Sequence, residues 1–327
     1  MGFPNTRLRR LRKNDTIRNM LAAPMPGPEK FIWPVFVVEG KGIKQAIKSM
    51  PGQFRYSIDT LIEAVDEVMA MGIKSIMVFG VVDDKKKSKS AEYAWKQDGL
   101  VQQAVYQLKN KFPDLLIFTD VCVCEYTSHG HCGILDKNGS LTNDPSLELL
   151  QKMAVSHAQA GADGVAPSAM IDGQIQAIRS SLDSANLENT ILMSYSSKFA
   201  SGMYGPFREA ADSAPSCGDR KSYQADYRNQ RDAIRECIED EAEGADILMV
   251  KPSLFYLDII KEVRGQTMLP LAAYNVSGEY SMLIATADKG WGDLKAMVQE
   301  SMFALSRAGT DIIISYWANQ YDKLLKD

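Results

Sequence analysis

From residue 31 onward, short apolar runs alternate with longer amphipathic stretches. The runs fall at 31–38, 75–82, 115–123, 164–168, 191–196, 247–250, 270–276 and 311–317. They are rich in Val, Ile, Phe and Tyr and lack strict alternation, as expected of strands buried on both faces. Between them, the stretch 57–71 opens with Ser57 and places Leu61, Ile62, Val65, Val68 and Met69 at helical intervals. The stretches 98–112, 144–160, 171–185, 229–243, 256–263, 280–287 and 294–308 follow the same period. Eight strands alternating with helices predict an α/β fold, a (β/α)8 TIM barrel. One departure is visible. Two helical stretches precede the eighth strand, and only 321–325 can be helical after it.

A faint repeat agrees with this count. Met-Gly-Ile-Lys (71–74), Ala-Gly-Ala-Asp (160–163), Glu-Gly-Ala-Asp (243–246) and Ala-Gly-Thr-Asp (308–311) each lead into a strand. The glycine ends a helix in the left-handed conformation and the next residues turn the chain into the sheet. An open doubly wound sheet is the alternative, but neither G-x-G-x-x-G nor a P-loop lysine is present. Residues 1–29 differ from the rest and read as an N-terminal arm, leaving 30–327 as one catalytic barrel. Arg7, Arg9, Arg10, Arg12 and Lys13 crowd into seven positions, and three prolines fall within 22–28. The arm is either a solvated tail or a strap on a neighbouring subunit. Leu8, Leu11, Ile17, Met20 and Leu21 favour the strap.

Composition narrows the class. Of 327 residues 45% are apolar and 24% charged, with net charge −4, values typical of a soluble globular protein. No apolar run reaches the ~20 residues needed to cross a bilayer, and the basic start has no secretory h-region. Mild acidity argues against bulk nucleic-acid binding. Five cysteines are too few and too odd for a disulfide scaffold, so a cytoplasmic, reducing location is expected.

Barrel chemistry sits at the carboxyl ends of the strands. Lys198 and Lys251 end adjacent strands, each beside apolar residues. Burial and a second cation both lower a lysine's pKa, freeing the amine for Schiff-base chemistry with a carbonyl. A lone strand-end lysine is more often a surface or phosphate-binding charge; two neighbours weaken that reading. Cys122, Cys124 and Cys132 fall within eleven residues at the third strand's end. Three thiolates leave one zinc position open, as at a catalytic site. His129 or His131 could ligate instead, and clustered buried thiols are the plain alternative. His157, inside a helix, reads as a packing or surface residue. The long connection 199–228 reads as a lid, with Arg208 and Arg220 suited to gripping a carboxylate.

These residues carry a resemblance. TDVCVCEYTSHGHCG (119–133), APSAMIDGQIQAIR (166–179), SYSSKFAS (194–201), YGPFREA (204–210), GDRKSYQ (218–224), GADILMVKP (244–252) and VSGEY (276–280) closely resemble the porphobilinogen synthase, or 5-aminolevulinate dehydratase, family. RRLR (9–12) and SMPG (49–52) fit its early region. The resemblance spans nearly the whole chain and implies condensation of two 5-aminolevulinate molecules to porphobilinogen, with loss of two waters, in tetrapyrrole (haem) synthesis. It implies that Lys251 forms the Schiff base with the first substrate, whose carboxylate Ser277 and Tyr316 hold. Lys198 matches the second family lysine. Arg208, Arg220 and Gln224 match the groups holding the second substrate, with Asp120 and Ser168 beside it. Cys122, Cys124 and Cys132 match the zinc ligands of the zinc-dependent branch. Glu236 matches the position that binds an allosteric magnesium in many relatives, although an exposed helix glutamate explains it nearly as well. The family usually forms homo-octamers with the arm wrapped on a partner; a smaller assembly is the alternative. The sequence Ala225-Asp226-Tyr227 departs from the family's turn and leaves the lid's hinge open, and Cys217 and Cys237 carry no assigned chemistry.

Two other functions fit parts of the chain. A class I aldolase-like barrel would use one lysine imine on a sugar phosphate and need no metal. A metal- or nucleic-acid-binding module would use the basic arm and bind with strong salt dependence.

Overall fold

The structure is a computed structural model that describes residues 2–216 and 218–326; Cys217 lies outside the described residues. Eight parallel strands form the barrel: β1 (Phe31–Val38), β2 (Ser75–Val81), β3 (Leu116–Val121), β4 (Gly164–Pro167), β5 (Ile191–Lys198), β6 (Ile247–Lys251), β7 (Leu271–Asn275) and β8 (Ile312–Ser315). Each pairs with the next, and β8 closes on β1 through Phe31–Ile313 and Ile32–Ile314. Their residues are almost entirely buried, which is why their sequences read as continuous apolar runs. Around them lie α1 (Ile58–Ala70), α2 (Leu100–Lys111), α3 (Asn143–Gln159), α4 (Gln174–Ser184), α5 (Gln230–Ala242), α6 (Leu257–Gln266), α7 (Ser277–Asp288) and α8 (Leu294–Ala308). Helices α7 and α8 both precede β8, and among the described residues it is followed by a 3-10 turn, Tyr316–Gln320, and one α-helical turn, Tyr321–Leu324, close to the 321–325 that the periodicity predicts.

The four-fold turn repeat has a structural job beyond ending helices. Gly72, Gly161, Gly244 and Gly309 all adopt positive φ. The aspartate two residues later then reaches across to the preceding strand. Asp163 accepts from Ile117 N at 2.8 Å, Asp246 from Leu192 N at 2.7 Å and Asp311 from Leu271 N at 2.9 Å. Each ties an even strand to its odd neighbour. At the first copy Lys74 stands where the others have Asp; its backbone carbonyl accepts from Leu116 N of the following strand β3 at 2.9 Å, as the Asp163 carbonyl does from Ile191 N.

One element is not evident from the pattern. Lys44–Ala46 and Phe54–Tyr56 form a short hairpin whose second strand pairs with β1 through Phe36–Arg55 and Val37–Tyr56. It occupies the upper flank of β1, above the register where β8 pairs. His157 is fully buried on α3 with Nδ1 3.0 Å from Thr119 Oγ1, a packing role. The arm carries a 3-10 turn, Leu8–Arg12, and a short helix, Asp15–Leu21, capped by Asn14, and a second 3-10 turn, Pro28–Lys30, joins it to β1. Of the described residues before Met25, all are exposed except the half-buried Ile17. No helix among the described residues is long and apolar enough to cross a membrane.

Candidate active site

Two lysines meet at the carboxyl ends of β5 and β6. Residues 194–198 hold a bulge: Ser194 faces Leu248 and Ser197 faces Val250, so β5 fits one extra residue against β6. Strict alternation would send Lys198 outward if Tyr195 points inward. The bulge places Ser196 and Ser197 together on the helix side, so that Tyr195 and Lys198 both face the interior. Lys198 then stands directly opposite Lys251. The two Nζ atoms lie 5.4 and 4.9 Å from the centroid of the Tyr195 ring. Lys251 is caged further by Tyr274 at 4.1 Å, Phe207 at 5.1 Å and Tyr204 at 5.5 Å. Burial, and then the charge of Lys198, bring the Lys251 amine down to about 7. Lys198 Nζ donates to the carbonyl of Ser168 at 2.5 Å.

Cys122 follows β3, Cys124 sits in the turn Val123–Glu125, and Cys132 lies in the loop beyond. All three are buried, and their sulfurs lie within 4.8 Å of one another. Cys132 is held well below the usual thiol range by hydrogen bonds from Cys122 and Cys124, with Arg220 and Lys198 adding to the effect. Burial pushes Cys122 up, and contact with the other two thiols pushes Cys124 up. Three buried sulfurs this close together are a soft, preformed donor set, and it fits a thiophilic metal ion. Beside it, Asp120 is raised by burial against the pull of Lys198, Lys251 and the Ser168 hydroxyl, and its Oδ1 is buried without a partner. Glu125 is pushed up to about 8 by burial and by Asp120. His129 and His131 do not join the cysteine cluster. His131 N donates to His129 Nδ1, and His131 Nδ1 lies 3.1 Å from the Tyr223 hydroxyl.

The connection after β5 folds back over the mouth, bringing Phe207 within 5.1 Å of Lys251 Nζ. Its ends are zipped together by Ala200 N to Ala225 O at 2.9 Å and Ala225 N to Lys198 O at 3.0 Å. Asp226 then caps a turn, accepting from Arg228 N, and its carbonyl accepts from Asn229 N. Ala225-Asp226-Tyr227 therefore leads into a hydrogen-bonded turn. A short helix, Gly205–Ala210, carries Phe207 onto Phe36 and Phe79, at 5.7 and 5.3 Å between centroids. Arg55 of the hairpin donates to the carbonyls of Ala210 and Glu209, and Lys87 pairs with Asp212 at 2.7 Å. Phe207 N–H donates to Ser277 Oγ at 2.9 Å, and the hydroxyls of Tyr316 and Tyr274 are 3.2 Å apart.

The two arginines expected to act together are placed differently. Arg220 is buried, with Nη2 donating to Gly130 O at 2.8 Å and Ser213 O at 2.6 Å, while Nε has no partner. Gln224 Nε2 is likewise buried and unpaired. Arg208 is exposed on the lid helix. Glu236 lies away from the mouth on α5 and is half-buried rather than exposed. Burial and the carboxylates of Asp240, Asp172, Asp232 and Glu243 push it up to about 7.

Several residues of the site escape sequence reasoning. Tyr195, Tyr204, Phe207 and Tyr274 look like ordinary core aromatics until the bulge and the lid converge them on one amine. Glu279 is fully buried and accepts from Ser253 N, Leu254 N and Val276 N at 2.7–3.0 Å. It thereby fixes the loop that follows Lys251. Its signal was a glutamate at the third position of a helix, three residues past Val276.

The sequence profile of the delta-aminolevulinic acid dehydratase family matches residues 5–324. The chain is 48% identical over 321 residues to the delta-aminolevulinic acid dehydratase of Halalkalibacterium halodurans, covering 98% of this chain and 97% of that one. It is 50% identical over 320 residues to the enzyme of that name from Methanothermobacter thermautotrophicus, covering 97% of each. A crystal structure of delta-aminolevulinic acid dehydratase (porphobilinogen synthase) from Toxoplasma gondii, in complex with the reaction product porphobilinogen, superposes with a TM-score of 0.95. That chain is 44% identical, and the match covers 97% of this chain and 91% of the other.

Proposed function

The chain belongs to the delta-aminolevulinic acid dehydratase family, and from that premise we propose how its barrel mouth works. The enzyme is a lyase that joins two 5-aminolevulinate molecules into porphobilinogen with loss of two waters, the pyrrole unit of tetrapyrroles such as haem. The observation that carries the division of labour is the Lys198–Lys251 pair, in register on adjacent strands and sharing the Tyr195 ring. An amine near pKa 7 is substantially free at neutral pH and attacks the substrate ketone. Loss of water leaves an iminium that acidifies the neighbouring carbons and permits C–C bond formation. The aromatic cage around Lys251 keeps bulk water from reversing that imine. Ser277 and Tyr316 supply hydroxyls for the first substrate's carboxylate.

Lys198 takes the second substrate. Arg220 Nε and Gln224 Nε2, buried without partners, are donors left open for its carboxylate, and Arg208 joins them from the lid helix. Asp120, raised by burial and flanked by both lysines, would exchange a proton beside the reacting carbons, with Ser168 orienting it.

Cys122, Cys124 and Cys132 would hold zinc, and on this reading the chain works as a member of the zinc-dependent branch; the support is three buried sulfurs within 4.8 Å of one another. Bound there, the ion would supply Lewis acidity toward the second substrate. Glu236 and its acidic neighbours suit a hard cation such as magnesium, bound away from the mouth as a regulator. The exposed Leu8, Leu11, Met20 and Leu21 support an arm that straps a partner in a homo-octamer. Three thiols that must stay reduced fit a cytoplasmic enzyme.

Purified protein given 5-aminolevulinate is expected to release porphobilinogen. Lys251→Ala should lower that rate by roughly a thousandfold or more with the circular dichroism unchanged. Near-normal turnover in Lys251→Ala would refute the reading.

A further inference from the structure

Behind β5, on the side away from substrate, runs a second polar cluster that takes no part in the condensation itself, although its Asp240 is also one of the carboxylates around Glu236. Helix α5 turns Ala233, Cys237 and Asp240 inward, one face at i, i+4 and i+7. Opposite them stand the three serines of the bulge. The Ser194 hydroxyl donates to Asp240 Oδ2. The Ser197 hydroxyl donates to Ala233 O at 2.6 Å and lies 3.1 Å from Cys237 Sγ. Ser196, between them, is buried on the same side. Both flanks of the bulge are therefore pinned to α5, and Asp240 is the only charged side chain in those contacts.

We infer that Asp240 is a positioning residue for Lys198, holding the Ser194–Ser197 bulge that turns this lysine into the barrel. The physical reason is the two-residue period of a strand. With the bulge, Tyr195 and Lys198 share the inner face. Without it, one of them must point at α5. Leu248, Met249 and Val250 on β6 pair in unbroken register with Leu271, Ala272 and Ala273 on their other side, so the extra residue belongs to β5. The bulge is held by a buried carboxylate that accepts from Ser194, a charge-assisted bond stronger than one between neutral groups. Lys251 lies on a strand with no such defect, so loss of Asp240 bears on one lysine and not on the other.

This inference rests on the assignment of Lys198 and Lys251 as imine-forming residues. The test is borohydride reduction of the full-length enzyme with saturating 5-aminolevulinate at constant magnesium and zinc, followed by peptide masses at both lysines. Asp240→Ala should lose about tenfold or more of the Lys198 adduct, while the Lys251 adduct stays within about twofold of the parent. The kcat should fall with the Lys198 adduct. Asp240→Asn keeps an oxygen acceptor for Ser194 and should restore both to within about threefold. Ser194→Ala removes the same bond without touching α5 and should show the same selectivity if Asp240→Ala fails to fold. Equal loss at both lysines in the Asp240 and Ser194 variants, or no loss at Lys198 in either, overturns the positioning role. A parent enzyme that labels at neither lysine overturns the underlying assignment instead, and the inference with it.

Discussion

Removing Lys198 should change the acidity of Lys251, and the size of that change follows from the geometry. The two amines lie 5.4 and 4.9 Å from one ring centroid, so they are at most about 10 Å apart. At an effective dielectric of about 20, two unit charges roughly 7–10 Å apart repel by about 1.7–2.4 kcal/mol. That corresponds to about 1.2–1.7 pH units. Burial is the larger cause of the lowered value and persists in the variant. Lys198→Met should therefore move Lys251 from about 7 to roughly 8–9. The sign is set by chemistry: only the unprotonated amine attacks a ketone, so imine formation rises with pH through this value. The assay is the initial rate of borohydride-trapped adduct on the Lys251 peptide between pH 5 and 10. A midpoint displaced upward by one to two pH units with a similar alkaline plateau is expected. A midpoint that stays near 7 would show that burial alone sets the amine, and the argument from paired cations would fail.

Three further outcomes are expected. A Cβ at Gly278 would stand 2.5 Å from Met203 O and 2.8 Å from its Cα, so Gly278→Ala must push the lid off α7. It should raise KM by about 5–30-fold, equivalent to about 1–2 kcal/mol, while thermal melting moves little because the helix itself tolerates alanine; an unchanged KM would count against lid closure over the site. Any one of Cys122→Ser, Cys124→Ser and Cys132→Ser should leave less than about a tenth of the parent's zinc after dialysis; retained zinc by atomic absorption would move the metal elsewhere. Deleting residues 2–22 removes no buried side chain from the barrel, so melting of the subunit should persist while light scattering reports a smaller assembly; an unaltered mass would leave the arm without a strapping role.

The barrel is legible in the sequence because its strands are buried on both faces, and uninterrupted apolar runs are hard to read otherwise. The Gly-Ala-Asp turns are legible for a different reason: positive φ restricts the residue type, and the following aspartate serves the neighbouring strand. The bulge is not legible. Ser196 and Ser197 are neutral toward either face, and only the register with β6 and the contacts to α5 decide which way they point. The hairpin at 44–46 and 54–56 is hidden because three-residue strands carry no period to detect. Spacing brought Lys198, Lys251 and the three cysteines to the strand ends, where the structure groups them. It could not distinguish Arg220 from Arg208, since burial of the first depends on carbonyls of Gly130 and Ser213 that come from two separate loops. Glu236 reads as a surface glutamate on its own helix; its half-buried state comes from packing, and its raised pKa comes from that burial first and then from carboxylates such as Asp240 and Asp172.

The most direct test of the account is where substrate becomes covalently attached. Parent enzyme reduced with borohydride in the presence of 5-aminolevulinate, then digested and mapped by mass, should carry the adduct on the peptide of Lys251, with Lys198 labelled at saturating substrate. An enzyme that turns over 5-aminolevulinate yet shows both lysines unmodified would contradict it.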